Sequence, residues 1–384
     1  MDGYYIDFDK GLVEEGSEER TELIKNVMRK ASAGEPVTIG FLGGSITQGS
    51  VATDDTLCYA YRVYDWFKKR FPGSDISYVN AGIGATDSEF AAARVAGDLL
   101  SAHPDFVLME FSVNDECSDH MMECYEGTLR QILKSKPDIG VMLMANVFYS
   151  EGTSTERMHR VIARHYNIPM VSMRSTIYEA ILQGRFPKEK ITPDDLHPND
   201  EGHALVAEVI LTYLRSLDPS LDLAGEQVSV LKGDLALPVP YTPNRYENSV
   251  KYDNRNSSEV LISMQGFEPD TTPQTFVRDC FRNGYATMTV GSYAEYEVTG
   301  SCIAVQYRKT IELPAPVAKV TVDADESSAV ILDANFGETW GDKLELTDIY
   351  ISDAPAKHRV RIEITDVPEG CKGDFYLAGV IVSS

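Results

Sequence analysis

The sequence predicts two folds in series: an α/β domain on a parallel sheet with helices on both faces, then an all-β sandwich of jelly-roll type. Three observations carry this expectation. Through about residue 216, strand-length apolar runs alternate with stretches of helical periodicity, and the runs are apolar almost throughout, as strands covered on both faces are. From about Leu235 the helical spacing gives way to short segments that alternate apolar and polar residues between turn signals. The chain of 384 residues also exceeds one comfortable core and suits two domains. The boundary is placed after Leu217-Asp218-Pro219-Ser220, giving domains of residues 1–220 and 221–384.

The elements follow in order. An opening helix is expected over Glu18 to Ala31, and Val37 to Leu42 reads as the first buried strand. Tyr59, Val63, Trp66 and Phe67, at offsets of four, seven and eight, share one helical face. Strands are then expected at Ile76 to Val79, Phe106 to Phe111, Gly140 to Val147 and Pro169 to Ser172. Thr86 and Glu89 have capping-box spacing ahead of a helix, and a last amphipathic helix runs from Glu201 to about Arg215 behind Asp200 as its N-cap. In the second domain the strands are Ala286 to Val290, Ser301 to Tyr307, Val317 to Val322, Lys343 to Ile351, Lys357 to Ile364 and Phe375 to Val382.

Composition narrows the partners. With 35 Lys and Arg against 59 Asp and Glu, the formal net charge of −24 repels nucleic acid and anionic membrane surfaces, so neither is expected as a partner. The amino end, Met1-Asp2-Gly3-Tyr4-Tyr5-Ile6-Asp7-Phe8, shows neither a basic start nor an apolar core, and no stretch approaches twenty apolar residues. A cytoplasmic location is the expectation. The six cysteines lack Cys-x-x-Cys spacing and read as reduced thiols. Asp119, His120 and Glu123 lie near Cys117 and Cys124, yet no four-ligand pattern forms, so neither a metal nor a cofactor is expected.

Four blocks carry chemistry. In Phe41-Leu42-Gly43-Gly44-Ser45-Ile46-Thr47-Gln48-Gly49 a serine follows paired glycines at a strand's carboxyl end, where open α/β sheets place their sites. In Asp194-Asp195-Leu196-His197-Pro198-Asn199, an aspartate three residues before a histidine can hold one ring nitrogen while the other takes a serine's proton. His203, inside the last helix beside Leu205 and Val206, reads as structural. The other two blocks supply donors for a developing oxyanion: the glycine-containing Val79-Asn80-Ala81-Gly82-Ile83-Gly84-Ala85-Thr86, and the strand ending in Ser112-Val113-Asn114, whose carboxamide is a donor. Each block alone is a common strand-and-turn pattern.

Taken in order, the blocks resemble the SGNH, or GDSL-like, hydrolase superfamily over roughly Pro36 to Leu214. The resemblance implies a three-layer, flavodoxin-like parallel sheet, with Ser45 as nucleophile, His197 as base and then acid, and Asp194 orienting it. It also implies an oxyanion hole of Ser45 N–H, Gly84 N–H and the Asn114 amide. Gly82 shares the second block, and Gly84 is preferred because it directly precedes Ala85-Thr86. The family's usual Gly-Asp-Ser reads Gly43-Gly44-Ser45 here, which leaves the triad intact and affects only loop geometry. More weakly, the second domain resembles β-sandwich modules that accompany some carbohydrate esterases, with its tyrosines and Trp340 as candidates for sugar stacking. The expected activity is a serine esterase removing short acyl groups, acetyl above all, from sugars or oligosaccharides. The alternatives are a lipase or thioesterase acting on longer acyl chains, separable by a chain-length series of nitrophenyl esters, and a carbohydrate-binding protein without catalysis, which the complete residue set disfavours. Oligomeric state is left open, and Tyr59 and the segment Asn146 to Tyr149 are candidates by position for the acyl pocket.

Overall fold

The computed structural model describes residues 4–218 and 236–384, in two compact units that meet in sequence between Asn244 and Arg245. The sequence-based boundary at 220/221 lies outside the described residues. Residues 236–244 belong with the first unit, where Glu126 accepts the N–H groups of Tyr241 at 2.6 Å and Thr242 at 2.7 Å.

In the first unit the chain runs β1 (Leu12–Glu14), α1 (Glu18–Ser32), β2 (Val37–Gly43), α2 (Ser45–Gln48), α3 (Tyr59–Arg70), β3 (Ile76–Gly82), α4 (Ser88–Asp98), β4 (Phe106–Glu110), α5 (Asp119–Ser135), β5 (Gly140–Ala145), α6 (Glu156–His165), β6 (Met170–Ser172), α7 (Glu179–Leu182) and α8 (Asp200–Leu217). The six-stranded sheet has the order β1-β6-β5-β4-β2-β3. Strands β2 to β6 are parallel, as their apolar sequences imply. The short edge strand β1, antiparallel to β6, was not foreseen, because three half-buried residues carry no readable periodicity. Chain direction across the sheet reverses between β2 and β4, the switch point where α/β sheets open a crevice at their carboxyl ends.

Burial explains the pattern. Ile39 and Phe41 of β2, Phe106 and Leu108 of β4, and Met142 and Met144 of β5 form one core with Val63 and Phe67 of α3 and Leu205 and Val209 of α8. The intervening Leu42, Val107, Met109 and Leu143 are equally buried. Helix α1 starts at Ser17, whose hydroxyl accepts the Arg20 N–H at 3.2 Å, with Glu18 and Glu19 in its first turn and Arg29 and Lys30 in its last, as the helix dipole favours.

Two caps differ from the sequence reading. The N-cap of α8 is Asn199, whose Oδ1 accepts the N–H groups of Glu201 and Gly202 at 3.1 and 3.0 Å, while Asp200 accepts from Thr53 N at 2.8 Å and Thr53 Oγ1 at 2.6 Å. Helix α4 is capped by Asp87, which accepts Phe90 N–H at 3.1 Å, and Thr86 instead donates to Ile83 O at 2.7 Å. In both places several side chains of similar capping propensity stand together.

The second unit runs β7 (Val250–Tyr252), β8 (Leu261–Gln265), β9 (Glu268–Pro269), β10 (Tyr285–Thr287), β11 (Tyr293–Lys309), β12 (Val317–Val322), β13 (Val330–Asp333), β14 (Lys343–Asp366) and β15 (Phe375–Ser383), antiparallel throughout. The segments Lys343 to Ile351 and Lys357 to Ile364, read from sequence as two strands, are one 24-residue strand. It follows β11 along its length, with a register shift between Gly300 and Cys302. The amino-terminal half of β11 also pairs with β8 and the carboxyl-terminal half with β15, so the long strands pass between layers of the sandwich. Tyr285, Tyr296 and Tyr307 are core residues, whereas Trp340 is 58% exposed.

His203 is buried within α8, where its Nδ1 accepts the Tyr59 N–H at 3.2 Å and its Nε2 donates to Ser50 O at 3.3 Å. Burial pushes its pKa down to about 4 from the ordinary 6.5. The unfolded chain therefore takes up a proton below pH 6.5 that the folded protein refuses until about pH 4, so falling pH in that window favours unfolding. The melting temperature is expected to fall between those pH values, and His203→Gln to flatten the decline. An unchanged slope in the variant would remove His203 from this account.

Candidate active site

Ser45 stands one residue past Gly44 at the end of β2 and begins the single turn α2, which Gly49 ends at φ +100°. The turn is seated on β3. A Cβ on Gly82 would lie 2.2 Å from Gln48 N, so only glycine lets the backbones meet, and Asn80 Nδ2 donates to Thr47 O at 2.8 Å. His197 Nε2 lies 2.8 Å from Ser45 Oγ, and His197 Nδ1 lies 2.6 Å from Asp194 Oδ2. The three residues, separated by up to 152 positions, thus form one hydrogen-bonded chain.

The loop carrying Asp194 and His197 is tied down at several points. Asp194 Oδ1 accepts the N–H groups of His197 at 2.8 Å and Leu196 at 3.1 Å, so one oxygen orders the turn and the other meets the ring. Asp195 adopts φ +69°, its carbonyl accepts Tyr149 N–H at 2.7 Å, and its carboxylate pairs with Lys188. Burial works to raise the Asp194 pKa, but the hydrogen bonds from the His197 ring and from the two backbone N–H groups hold it below the usual carboxylate range. Asp194 is therefore an anion facing the imidazole.

The expected oxyanion donors differ in their state. Ser45 N–H is the first of α2 and has no intrahelical acceptor. Asn114 follows β4 with its Oδ1 buried and unpartnered, and that oxygen would lie 2.4 Å from a Cβ on Gly44. The family's aspartate position is thus filled here by a residue that leaves room for the Asn114 carboxamide. Gly84 lies beside the serine, a Cβ on it being 3.7 Å from Ser45 Cβ, but its N–H donates to Gln48 Oε1 at 2.6 Å. Gly82 instead gives its N–H to Asn80 Oδ1 at 2.9 Å.

Several supports were not read from sequence. Asp115, next to Asn114, accepts His159 Nε2 at 2.9 Å and Ser88 N–H at 2.8 Å, with its side chain and that of His159 fully buried. His159 stacks on Tyr125 with ring centroids 3.7 Å apart. Nothing local joins residues 44 positions apart, so only the fold shows this pair. Tyr59, a candidate for the acyl pocket, is buried and its hydroxyl meets Thr47 Oγ1 at 2.8 Å, which corrects that expectation; Asn146 and Tyr149 are buried too. Asp119, His120 and Glu123 do not assemble as a ligand set. Among the described residues the donor atoms that converge are those of Glu89, His120 and Cys124, within 4.8 Å of one another, with His120 Nε2 at 3.0 Å from Glu89 Oε2. They belong to α4 and α5 and include neither Ser45 nor His197.

The model of the GDSL-like Lipase/Acylhydrolase family matches residues 41–205, which contain all four blocks. A two-domain esterase active on acetylated mannans, co-crystallized with mannopentaose, is 46% identical with a TM-score of 0.90, covering 99% of this chain and 99% of that one. A second structure of a two-domain esterase active on acetylated mannans is 47% identical with a TM-score of 0.91 and the same coverage. The chain belongs to the GDSL-like lipase/acylhydrolase family. As a member it is a carboxylic ester hydrolase with an α/β hydrolase domain followed by a β-sandwich. None of the curated proteins compared matches it. No helix among the described residues is long and apolar enough to cross a membrane.

The contact between Gly44 and Asn114 generates a prediction for this GDSL-like site. Gly44→Ala forces the Asn114 carboxamide aside without opening the core, so kcat is expected to fall about a hundredfold while the melting temperature changes little. Steady-state kinetics on nitrophenyl acetate with a thermal melt check it, and an unaltered kcat would show that Asn114 has room to move harmlessly.

Proposed function

We propose that the protein is a serine acetylesterase that removes O-acetyl groups from mannan-type oligosaccharides, with Ser45, His197 and Asp194 as its catalytic triad. The observation that carries this reading is the 2.8 Å contact between Ser45 Oγ and His197 Nε2, continued at 2.6 Å to Asp194. The substrate class is supported by the two whole-chain relatives, both described as active on acetylated mannans.

Catalysis starts with His197 Nε2 taking the Ser45 proton as Oγ attacks the ester carbonyl. The tetrahedral oxyanion is held by Ser45 N–H, Asn114 Nδ2 and Gly84 N–H. Asp194 stabilises the imidazolium and fixes its tautomer. His197 then protonates the departing sugar oxygen, which leaves as a free hydroxyl with an acetyl-enzyme behind it, and activates the water that releases acetate. In the sandwich, Trp340 is an exposed aromatic available to a sugar face, while Tyr285, Tyr296 and Tyr307 serve the core.

Acetate released from acetylated manno-, xylo- and cello-oligosaccharides measures chemistry and substrate together, and the manno series is expected to be fastest. Ser45→Ala and His197→Ala should each lower kcat by a factor of about 10³ or more with little change in stability. A Ser45→Ala enzyme of near-normal rate would sink the mechanism. Faster release of longer acyl chains from nitrophenyl esters would replace acetylesterase by lipase or thioesterase.

Because His197 generates the nucleophile from Ser45, the reaction calls on no metal. Dialysis against EDTA is expected to leave the rate unchanged. Loss of activity restored by added zinc would turn attention to Glu89, His120 and Cys124.

A further inference from the structure

One of the three oxyanion donors is occupied by the protein itself. Gly84 N–H donates to Gln48 Oε1 at 2.6 Å. Ser45 N–H has no intrahelical acceptor, and the Asn114 carboxamide makes no hydrogen bond among the described residues. Gln48 closes the turn that Ser45 opens, its own N–H donating to Gly44 O at 2.9 Å, so its side chain starts beside the nucleophile. A Cβ on Gly84 would lie 3.3 Å from Gln48 Oε1 and 3.7 Å from Ser45 Cβ. Serine, carboxamide and glycine therefore meet at one point, and an acyl oxygen that takes the Gly84 N–H must displace Gln48.

Acceptor strength decides when that happens. A carboxamide oxygen is a better acceptor than a neutral ester carbonyl and a poorer one than an alkoxide, whose hydrogen bonds are charge-assisted. We propose that Gln48 is a positioning residue that keeps the Gly84 donor while the ester is neutral and yields it as negative charge develops on the substrate oxygen. This rests on the assignment of Ser45, Gly84 and Asn114 made above. The Gly84 hydrogen bond is then made to substrate only in the transition state, where it raises kcat instead of tightening ground-state binding. Meanwhile the carboxamide keeps the N–H satisfied and aimed.

The exchange separates kcat from KM. In Gln48→Ala the neutral ester gains the Gly84 N–H, so KM and kcat are expected to fall together, each about fivefold, with kcat/KM nearly unchanged. In Gln48→Glu a carboxylate holds the N–H more tightly and repels the oxyanion, so kcat/KM falls about a hundredfold. A crystal structure of the wild-type enzyme with Ser45 phosphonylated needs no variant. It is expected to show Gln48 turned away and Gly84 N within hydrogen-bond distance of the phosphonyl oxygen. If Gln48→Ala lowers kcat while KM holds or rises, or if Gly84 N stays on Gln48 in the adduct, the proposal is overturned and Gln48 is a fixed brace. A phosphonate that leaves Ser45 unlabelled overturns the serine mechanism itself, a failure distinct from either of these.

Discussion

Strand β2 is hydrogen-bonded in parallel to β3 on one side and β4 on the other, with Gly43 level with Gly82 and with Glu110. That shared register brings three strand ends to one place, and the residues just past them are Ser45, Gly84 and Asn114. A slip of one residue in either pairing would turn the strand's side chains to the opposite face. The register is held by burial, since the apolar residues of β2 and β4 are fully enclosed. It is also held at the opposite strand ends, where Asp105 accepts Thr38 N–H at 2.9 Å and pairs with Lys30 and Lys136.

The fourth contribution arrives from further along the chain and is positioned differently. Asp194 and His197 lie on a loop, so their placement relies on hydrogen bonds: Asp194 to its own turn, Tyr149 N–H to Asp195 O, and Asn199 N–H to Ile191 O at 2.8 Å. The loop ends at α8, whose packing on α1's side of the core is apolar and whose cap, Asn199, fixes where the helix begins. Below the donors, the buried Asp115 and His159 pair joins the residue after Asn114 to α6 and to the start of α4. Removing one member of such a pair leaves an uncompensated polar group in the interior, so the network ties local geometry to global stability.

In the proposed mechanism, binding and catalysis meet at the oxyanion donors. Backbone N–H groups near a serine are useful only if they do not spend themselves on the resting enzyme or on the neutral substrate. Ser45 N–H avoids the first by standing at the start of a helix. The Gly84 N–H shows another arrangement, in which the side chain of Gln48, one turn from Ser45, already holds the donor.

Much of this was legible in the chain. Apolar runs at strand spacing, helical offsets such as Tyr59, Val63 and Phe67, and the later change to period-two segments determined an α/β domain followed by a sandwich, because burial of apolar surface reads directly from local order. The blocks around Ser45, Gly84, Asn114 and His197 were visible because each is local. Tertiary structure alone decided which cap was used among Asn199 and Asp200, that β1 closes one edge of the sheet, and that two predicted strands are one long β14. It alone decided that Tyr59 belongs to the core, that Asp115 meets His159, and that Gln48 takes the Gly84 N–H. Those outcomes depend on distances between residues tens of positions apart, which local propensity does not encode.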